Sequence, residues 1–307
     1  MLTRIFLIFL LFVSSMEGGY ADESLIYIAT EDNLSKDKEL IIREFVDKLS
    51  ESLPGRSFQY VIPVTAGKLS GTNKVIVALG EESLLEVIKG KGNSPVIAAF
   101  ISRPSYEEVL VNKNIDRPVT AVFSDPSPRR QIALIKALAG ESATVGVIET
   151  PGTRKEVEEA KAAAKDLDVK VKVVDLEKYR TPKAVVESLS NTRMLLLQKD
   201  RAVFKQIPLD TLLVLAYDIN NMGIIGYSSG VVKNGALATT YTSLNDTAHS
   251  VASVVERLKN TNKLPTPDYA QFYSVSVNKY VVRSLALVEQ DSELIKRDIA
   301  LLLRGAK

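Results

Sequence analysis

The segment that most constrains the fold is a strand, a turn, a helix and a second strand in direct succession between Arg117 and Ile148. Val119 to Phe123 is short and rich in β-branched residues, which is typical of a strand. Pro126 and Pro128 end that strand, because proline lacks a backbone N–H and moves the preceding residue out of the helical region. Pro128 suits the first position of a helix, and Val145 to Ile148 is an apolar run typical of a fully buried strand. This order predicts that the chain passes here from one α/β lobe into a second.

Strand-like and helix-like segments alternate along the rest of the chain. Leu25 to Ala29, Lys74 to Leu79 and Pro95 to Ile101 have the apolar composition of buried strands, and segments with helical periodicity separate them. The alternation predicts parallel sheets with helices on both faces. With 307 residues and 46% hydrophobic content, the chain is long enough for one large or two medium domains with full cores.

Composition excludes several classes of function. The formal charge is +2, with 25% charged residues and no long basic run, so we expect no nucleic-acid partner. The absence of cysteine excludes disulfides, thiolate metal sites and a lipid-modified N-terminal cysteine. His249 is the only histidine, which argues against a histidine metal site or a Ser-His-Asp triad. We predict neither a cofactor nor a metal. We also predict no enzymatic activity, because carboxylates are the only candidate general bases that the sequence supplies.

The N-terminus has the composition of a signal peptide. Arg4 supplies a positive charge, and the apolar run from Ile5 to Val13 is too short to span a membrane stably. The small residues around Ala21 suggest cleavage there, so we predict a signal peptide over residues 1–21 and a mature chain from Asp22. An uncleaved anchor is the alternative. We therefore expect an exported periplasmic protein without a lipid anchor.

Polar residues stand where predicted strands end, which is where open parallel sheets bind ligands. The predicted ligand-binding residues are Thr30, Glu31, Glu81, Ser83, Ser102, Asp125, Glu149, Asp200, Tyr227 and Ser228. Structural roles compete with this interpretation: Glu81 suits the positive end of a helix dipole, Asp125 suits a turn, and Asp200 suits a helix cap. If these residues bind a ligand, their carboxylates favour one with an ammonium group or several hydroxyls.

Several segments resemble the ABC transporter substrate-binding protein family, of the type related to the tryptophan/tyrosine-binding component. The segments are Val75 to Gly80, Pro95 to Phe100, Val119 to Val122 with Gln131 to Leu138, Val145 to Ile148, and Lys233 to Ala238. The chain departs from the family in its predicted cleft loops. It has Glu149, Thr150 and Pro151 where the family usually has Tyr-Asn-Pro, and Glu81 where the family usually has Thr.

The resemblance implies a type 1 periplasmic-binding fold, with two Rossmann-like lobes of parallel sheet joined by three crossovers. It further implies an N-terminal lobe of residues 22–122 plus 236–264 and a C-terminal lobe of residues 123–235 plus 265–307.

The function expected from this resemblance is that of a periplasmic solute-binding protein of an ABC importer. It would capture a small polar ligand, an amino acid or similar, by hinge closure and deliver it to an ABC permease in the inner membrane. The alternative is a periplasmic sensing subunit that signals to a membrane receptor without transport. We expect a monomer in either case.

Overall fold

The computed structural model describes residues 25–31, 34–111, 113–140 and 143–305, and the statements below refer to these residues. The predicted signal peptide, residues 1–21, lies outside them. Within the described part of the chain, no helix is both long and apolar enough to cross a membrane.

Strands and helices alternate as the sequence predicts. The strands are β1 (Leu25–Ala29), β2 (Phe58–Val61), β3 (Lys74–Leu79), β4 (Val96–Ile101), β5 (Val119–Phe123), β6 (Thr144–Glu149), β7 (Lys170–Asp175), β8 (Met194–Leu196), β9 (Gly223–Ile225), β10 (Ala238–Tyr241), β11 (Asp268–Tyr269) and β12 (Ser274–Val277). The helices are α1 (Lys36–Ser52), α2 (Pro63–Ala66), α3 (Glu81–Lys89), α4 (Arg103–Leu110), α5 (Pro128–Ala139), α6 (Arg154–Asp166), α7 (Pro182–Ser188), α8 (Arg201–Gln206), α9 (Leu209–Asn220), α10 (Ser229–Lys233), α11 (Leu244–Thr261), α12 (Lys279–Ser284) and α13 (Ser292–Gly305).

These strands form two six-stranded sheets, one in each lobe. The first sheet is parallel throughout, with the order β11-β5-β4-β3-β1-β2. The second has the order β12-β10-β9-β8-β6-β7, and β12 alone runs antiparallel to its neighbour. Parallel strands need helical crossovers, so helices cover both faces of each sheet.

Each sheet face carries its own hydrophobic core. On the first sheet, one core holds residues of α1 and α11 and the opposite core holds residues of α2, α3 and α4. On the second sheet, α5, α6 and α13 pack on one face, and α7, α8, α9 and α10 pack on the other. The largest fully buried side chains, among them Phe45, Leu84, Ile97 and Ile148, come from both lobes.

The chain crosses between the lobes three times. It leaves the first sheet after β5, returns through α11 after β10, and leaves again between β11 and β12. The prediction that 236–264 belongs wholly to the first lobe is wrong for β10, which pairs with β9 and β12 in the second sheet. The assignment of 265–307 to the second lobe is wrong for β11, which pairs with β5.

A buried arginine fixes the amino end of the first sheet. Arg117 is 5% exposed, and its guanidinium donates hydrogen bonds to the carbonyls of Gly67, Leu69, Val87 and Ser94 at 3.0 to 3.2 Å. Burial lowers its pKa. The bonds tie the segment after α2 and the end of α3 to the start of β5, because one planar group reaches carbonyls from all of them.

We predict that Arg117→Met destabilises the fold by about 3 kcal/mol, because buried carbonyls would lose charged hydrogen-bond donors. Urea denaturation measures the change, and Arg43→Met is the control. Arg43 is exposed and pairs with Glu39 at 3.3 Å, so its loss should cost less than about 0.5 kcal/mol. Equal effects of the two substitutions would show that the Arg117 bonds contribute nothing specific.

Candidate functional site

All ten predicted site residues lie at the carboxyl ends of strands or in the first turn of the helix that follows. Thr30 and Glu31 follow β1, and Glu81 and Ser83 begin α3 after β3; Ser102 follows β4, Asp125 follows β5, Glu149 ends β6, Asp200 follows β8, and Tyr227 and Ser228 follow β9. Their predicted positions at strand ends are therefore correct. In all three crossings the chain departs from the carboxyl end of a strand, β5, β10 or β11, so these loops lie on the side where the lobes are joined.

Several of these side chains are bound within their own lobe. Glu31 forms an ion pair with Lys38 at 3.5 Å, and Glu149 lies 3.8 Å from Arg154. Ser102 and Ser228 are helix caps: Ser102 accepts from the Ser105 N–H at 3.1 Å, and Ser228 from the Val231 N–H at 3.4 Å. The kind of structural role that the sequence left open for Glu81, Asp125 and Asp200 thus applies to these four side chains as well.

Glu81 and Ser83 differ sharply in solvent exposure although they share one helical turn. Glu81 is exposed and lies in the first turn of α3, where a carboxylate suits the helix dipole. Ser83 is fully buried, and its hydroxyl has no hydrogen-bond partner among the described residues. The two side chains therefore do not converge on one point of the cleft.

Asp200 joins two loops of the second lobe. One carboxylate oxygen accepts from the Ala202 N–H at 2.7 Å and caps α8, as the sequence alternative predicts. The other accepts a hydrogen bond from the Thr150 hydroxyl. Thr153 accepts from the Thr150 N–H at 3.0 Å, so the loops after β6 and β8 are held as one unit.

Tyr227 supplies an aromatic surface beside that unit. Its ring packs against Phe204, with centroids 5.5 Å apart and planes tilted by 53°. Partial burial raises the pKa of its hydroxyl, which therefore stays protonated and able to donate at neutral pH.

Asp125 stands between the lobes. Its carboxylate accepts from the backbone N–H of Arg103 at 2.6 Å. Burial raises its pKa, while that hydrogen bond and the positive charges of Lys199 and Arg103 oppose the rise. Lys199 belongs to the loop after β8, so a charge of the second lobe acts on this carboxylate of the first crossing.

A cluster of charged side chains joins α4 to α6 across the lobes. We call Arg103, Glu107, Lys155, Glu159 and Tyr269 the interlobe latch. Arg103 donates to Glu107 and to the Tyr269 hydroxyl, each at 3.1 Å, and also to Glu159. Tyr269 donates to Glu159 at 3.3 Å, and Lys155 pairs with Glu107.

Attraction between opposite charges stabilises the interlobe latch. The Arg103 side chain is 10% exposed; burial lowers its pKa, but bonds to Glu159, Tyr269 and Glu107 outweigh burial and raise it. Burial likewise works against ionisation of Glu107, yet Lys155 and Arg103 lower its pKa overall. The positive and negative groups thus stabilise each other's charged forms at neutral pH.

Sequence reasoning did not select the residues of the latch, nor Lys199. Arg103 and Lys199 stood in loops already predicted to border the cleft, so a search for charge pairs across those loops would have found them. Glu156 and Glu159 lie one turn apart in a helix rich in alanine, glutamate and lysine, a composition typical of a solvent-exposed face.

Other surface features lie away from these loops. Two pockets lie at the amino end of the second sheet. The first, of about 860 Å³, is lined by residues 190–193 and 217–221. The second, of about 720 Å³, is lined by residues of the end of α5, the end of α6 and α13. Among the described residues, no group of three His, Cys, Asp or Glu side chains is placed to hold a metal ion. His249 is exposed and packs against Phe272 with centroids 5.6 Å apart.

Solved structures share this architecture. The L-Trp complex of the ABC domain from Streptococcus pneumonia is 17% identical, with 89% of this chain and 97% of that chain covered and a TM-score of 0.51. The ligand-free, open form of CD0873, a substrate binding protein with adhesive properties from Clostridium difficile, is 16% identical, with coverage of 88% and 97% and a TM-score of 0.63. A conserved domain protein from Vibrio cholerae is 14% identical, with coverage of 93% and 99% and a TM-score of 0.51. No curated protein sequence matches the chain.

The fold is that of a type 1 periplasmic-binding protein, as the resemblance in sequence implies: two α/β lobes of mostly parallel strands, joined by three crossovers. The model of one family, described as ABC transporter substrate binding protein, matches residues 64–297. The chain belongs to that family, and it is a substrate-binding protein of the ABC transporter type.

We predict a coupling free energy of about 1 kcal/mol between Arg103 and Glu159, measured by a double-mutant cycle of Arg103→Met and Glu159→Gln in urea denaturation. The coupling should fall in 1 M salt, because Glu159 is partly exposed and salt screens such pairs.

The pair Lys161 and Glu158 is the matched control on the same helix. It is exposed on both sides, with 2.8 Å between charged atoms, and its coupling should stay below about 0.5 kcal/mol. An Arg103–Glu159 coupling no larger than this would show that the latch does not hold the lobes together in solution.

Proposed function

We propose that the protein is an exported, periplasmic solute-binding component of an ABC importer. It captures a small polar ligand, an amino acid or similar, between its lobes and delivers it to a permease in the inner membrane. Membership of the substrate-binding family supports this, and so do the polar residues at the carboxyl ends of strands in both sheets. The observation that carries the proposal is the pairing of α4 with α6 across the lobes, in which Arg103 donates to Glu159 and Lys155 donates to Glu107.

Closure by hinge rotation follows from the three crossings. A ligand favours the closed form only if it gains contacts there that the open form lacks. The predicted rim residues of both lobes, foremost Asp125 and Tyr227, supply such contacts. A small polar ligand is consistent with the L-Trp bound by the structural relative from Streptococcus pneumonia, and we include L-tryptophan among the probes.

The test combines native mass spectrometry of the purified protein with thermal denaturation against amino acids, sugars and amines. One class should stabilise the protein, by about 2.7 kcal/mol when its concentration is a hundred times its Kd. Asp125→Asn should weaken that ligand about tenfold, because a charged hydrogen-bond acceptor is lost. Asp218→Asn is the control, since Asp218 is exposed at the amino end of the second sheet.

The proposal fails if nothing copurifies and no compound in the panel shifts the transition. Equal weakening by Asp125→Asn and Asp218→Asn would place the ligand elsewhere. The membrane partner distinguishes transport from the alternative, sensing. A transport component stimulates ATP hydrolysis by its reconstituted permease when ligand is present.

A further inference from the structure

The two sheets differ in how their edge strands are protected. The strand order of the first sheet ends at β2 and that of the second ends at β7. An open edge presents unpaired backbone groups, and charged side chains normally keep such an edge from pairing with another strand. The strand β7 carries Lys170 and Lys172, both exposed. The strand β2 has no charged residue, and neither has the whole segment from Ser57 to Ala66, so the first sheet lacks this protection.

Apolar side chains are exposed along β2 and directly after it. Tyr60, Ile62 and Val64 are 51%, 41% and 52% exposed. Single exposed apolar residues are common, but a row of them beside an open strand marks an interaction surface. We call these three side chains, together with the backbone of β2, the β2 edge.

Half of the backbone groups of β2 point away from the sheet. The carbonyls of Ser57 and Val61 accept hydrogen bonds from the β1 side, at 2.9 and 3.3 Å. In a parallel strand, successive residues direct their N–H and C=O groups to opposite sides. The groups of Phe58 and Tyr60 therefore face outward, and the β2 edge offers a donor and an acceptor at each of these two residues.

Helix α1 places charges of both signs beside the β2 edge. Phe58 packs into the same core as Phe45 of α1, so α1 covers the face of β2 from which Tyr60, two residues on, also projects. One flank of α1 packs against α11, and the opposite flank carries Arg43 and Asp47, which are exposed and one turn apart. Burial raises the pKa of the Tyr60 hydroxyl; Asp47 raises it further and Arg43 lowers it, in agreement with this placement.

We propose that the β2 edge binds the same edge of a second copy of this chain, with the two β2 strands antiparallel about a two-fold axis. The contact is self-complementary, because the N–H and C=O of Phe58 in each copy meet those of Tyr60 in the other. The two α1 helices then run antiparallel on one side of the joined sheet, and Arg43 of each copy lies opposite Asp47 of the other.

The charge pattern of α1 favours a second copy over an unrelated strand. Any extended segment would satisfy the backbone of β2, but only an antiparallel copy also sets each cation of α1 against an anion. Exposed ion pairs of this kind contribute orientation more than affinity. Most of the binding free energy then comes from the backbone hydrogen bonds and the covered apolar side chains.

A dimer through the β2 edge leaves the rotation of the lobes free. The strand β2 lies at the opposite edge of the first sheet from β11, and β5, the other strand after which the chain leaves this lobe, is the neighbour of β11. The second lobe therefore takes no part in the contact. The two-fold axis uses up the β2 edge of both copies, and the lysines of β7 oppose growth from the second sheet.

Sedimentation velocity over a micromolar to millimolar concentration series tests the inference. The original chain should form a reversible dimer. Tyr60→Lys should raise the Kd of that dimer about tenfold or more, because the new charges repel each other and resist burial. Val173→Lys is the matched control: Val173 is the exposed apolar residue of β7, and its substitution should leave the Kd unchanged. Circular dichroism and urea unfolding show whether both variants keep the fold.

A second measurement tests the register and does not depend on Tyr60. The chain has no cysteine, and Gln59 is exposed. In the proposed pairing, position 59 of each copy lies beside the two-fold axis as a non-hydrogen-bonded pair, with Cα atoms about 4.5 Å apart, a separation that a disulfide spans. Gln59→Cys should give a disulfide-linked dimer on mild oxidation, whereas Lys172→Cys on β7 should not.

Three results overturn the inference. The chain stays monomeric throughout the series, as expected from the sequence alone; the dimer survives Tyr60→Lys with its Kd unchanged; or Gln59→Cys and Lys172→Cys form disulfide-linked dimers to the same extent. Each of these results leaves the proposed function standing, because capture of a ligand needs only the two lobes of one chain.

Discussion

The connection between the two lobes depends on one buried carboxylate, which lies where the chain crosses between them. Asp246 is 7% exposed and accepts from the N–H and hydroxyl of Ser243 at 3.0 and 2.6 Å and from the Ser274 hydroxyl at 2.7 Å. Ser243 begins the second crossing and Ser274 ends the third. Arg130, just after the first crossing, stacks on Tyr273 with its guanidinium 4.6 Å from the ring centroid. Connected in this way, the crossings permit rotation but resist separation of the lobes.

The charges at the cleft are costly for folding and useful for binding. Asp125 and Glu156 both have raised pKa values, with burial as the main cause. A fold selected for stability alone would place apolar groups there. Natural sequences depart from good local packing chiefly at functional sites, so these buried charges and the interlobe latch are consistent with a region that binds a ligand between the lobes.

Much of the fold could be predicted from the sequence because buried parallel strands are continuous apolar runs. The strands from Leu25, Lys74, Val119 and Val145 were identified by that signal. Four short helices, α2, α4, α10 and α12, were not, since Pro63, Pro104 and the polar starts of α10 and α12 are equally typical of loops. The strand β11 has two residues and carries no periodic pattern. The lobe of β10 depends on pairing with β12, which no local pattern encodes.

The candidate site was predictable in position but not in detail. Strand ends can be read from hydrophobic runs, and the ten predicted residues lie at those ends. Which side chains meet across the cleft depends on how the lobes are oriented, and that brings Glu159 to Arg103 over a separation of 56 residues. A helix such as α6 looks uniformly solvent-exposed in sequence, so its contact face with α4 becomes visible only in three dimensions.

The central claim is that the two lobes rotate about the three crossings and close on a small molecule. The chain has no cysteine, so spin labels attached through Glu82→Cys and Arg201→Cys would be unique. Both positions are exposed and lie on opposite rims of the cleft. Pulsed electron–electron double resonance should show one distance that shortens when the compound giving the largest thermal stabilisation is added at saturation. An unchanged distance in a sample where calorimetry shows full occupancy would contradict closure between the lobes.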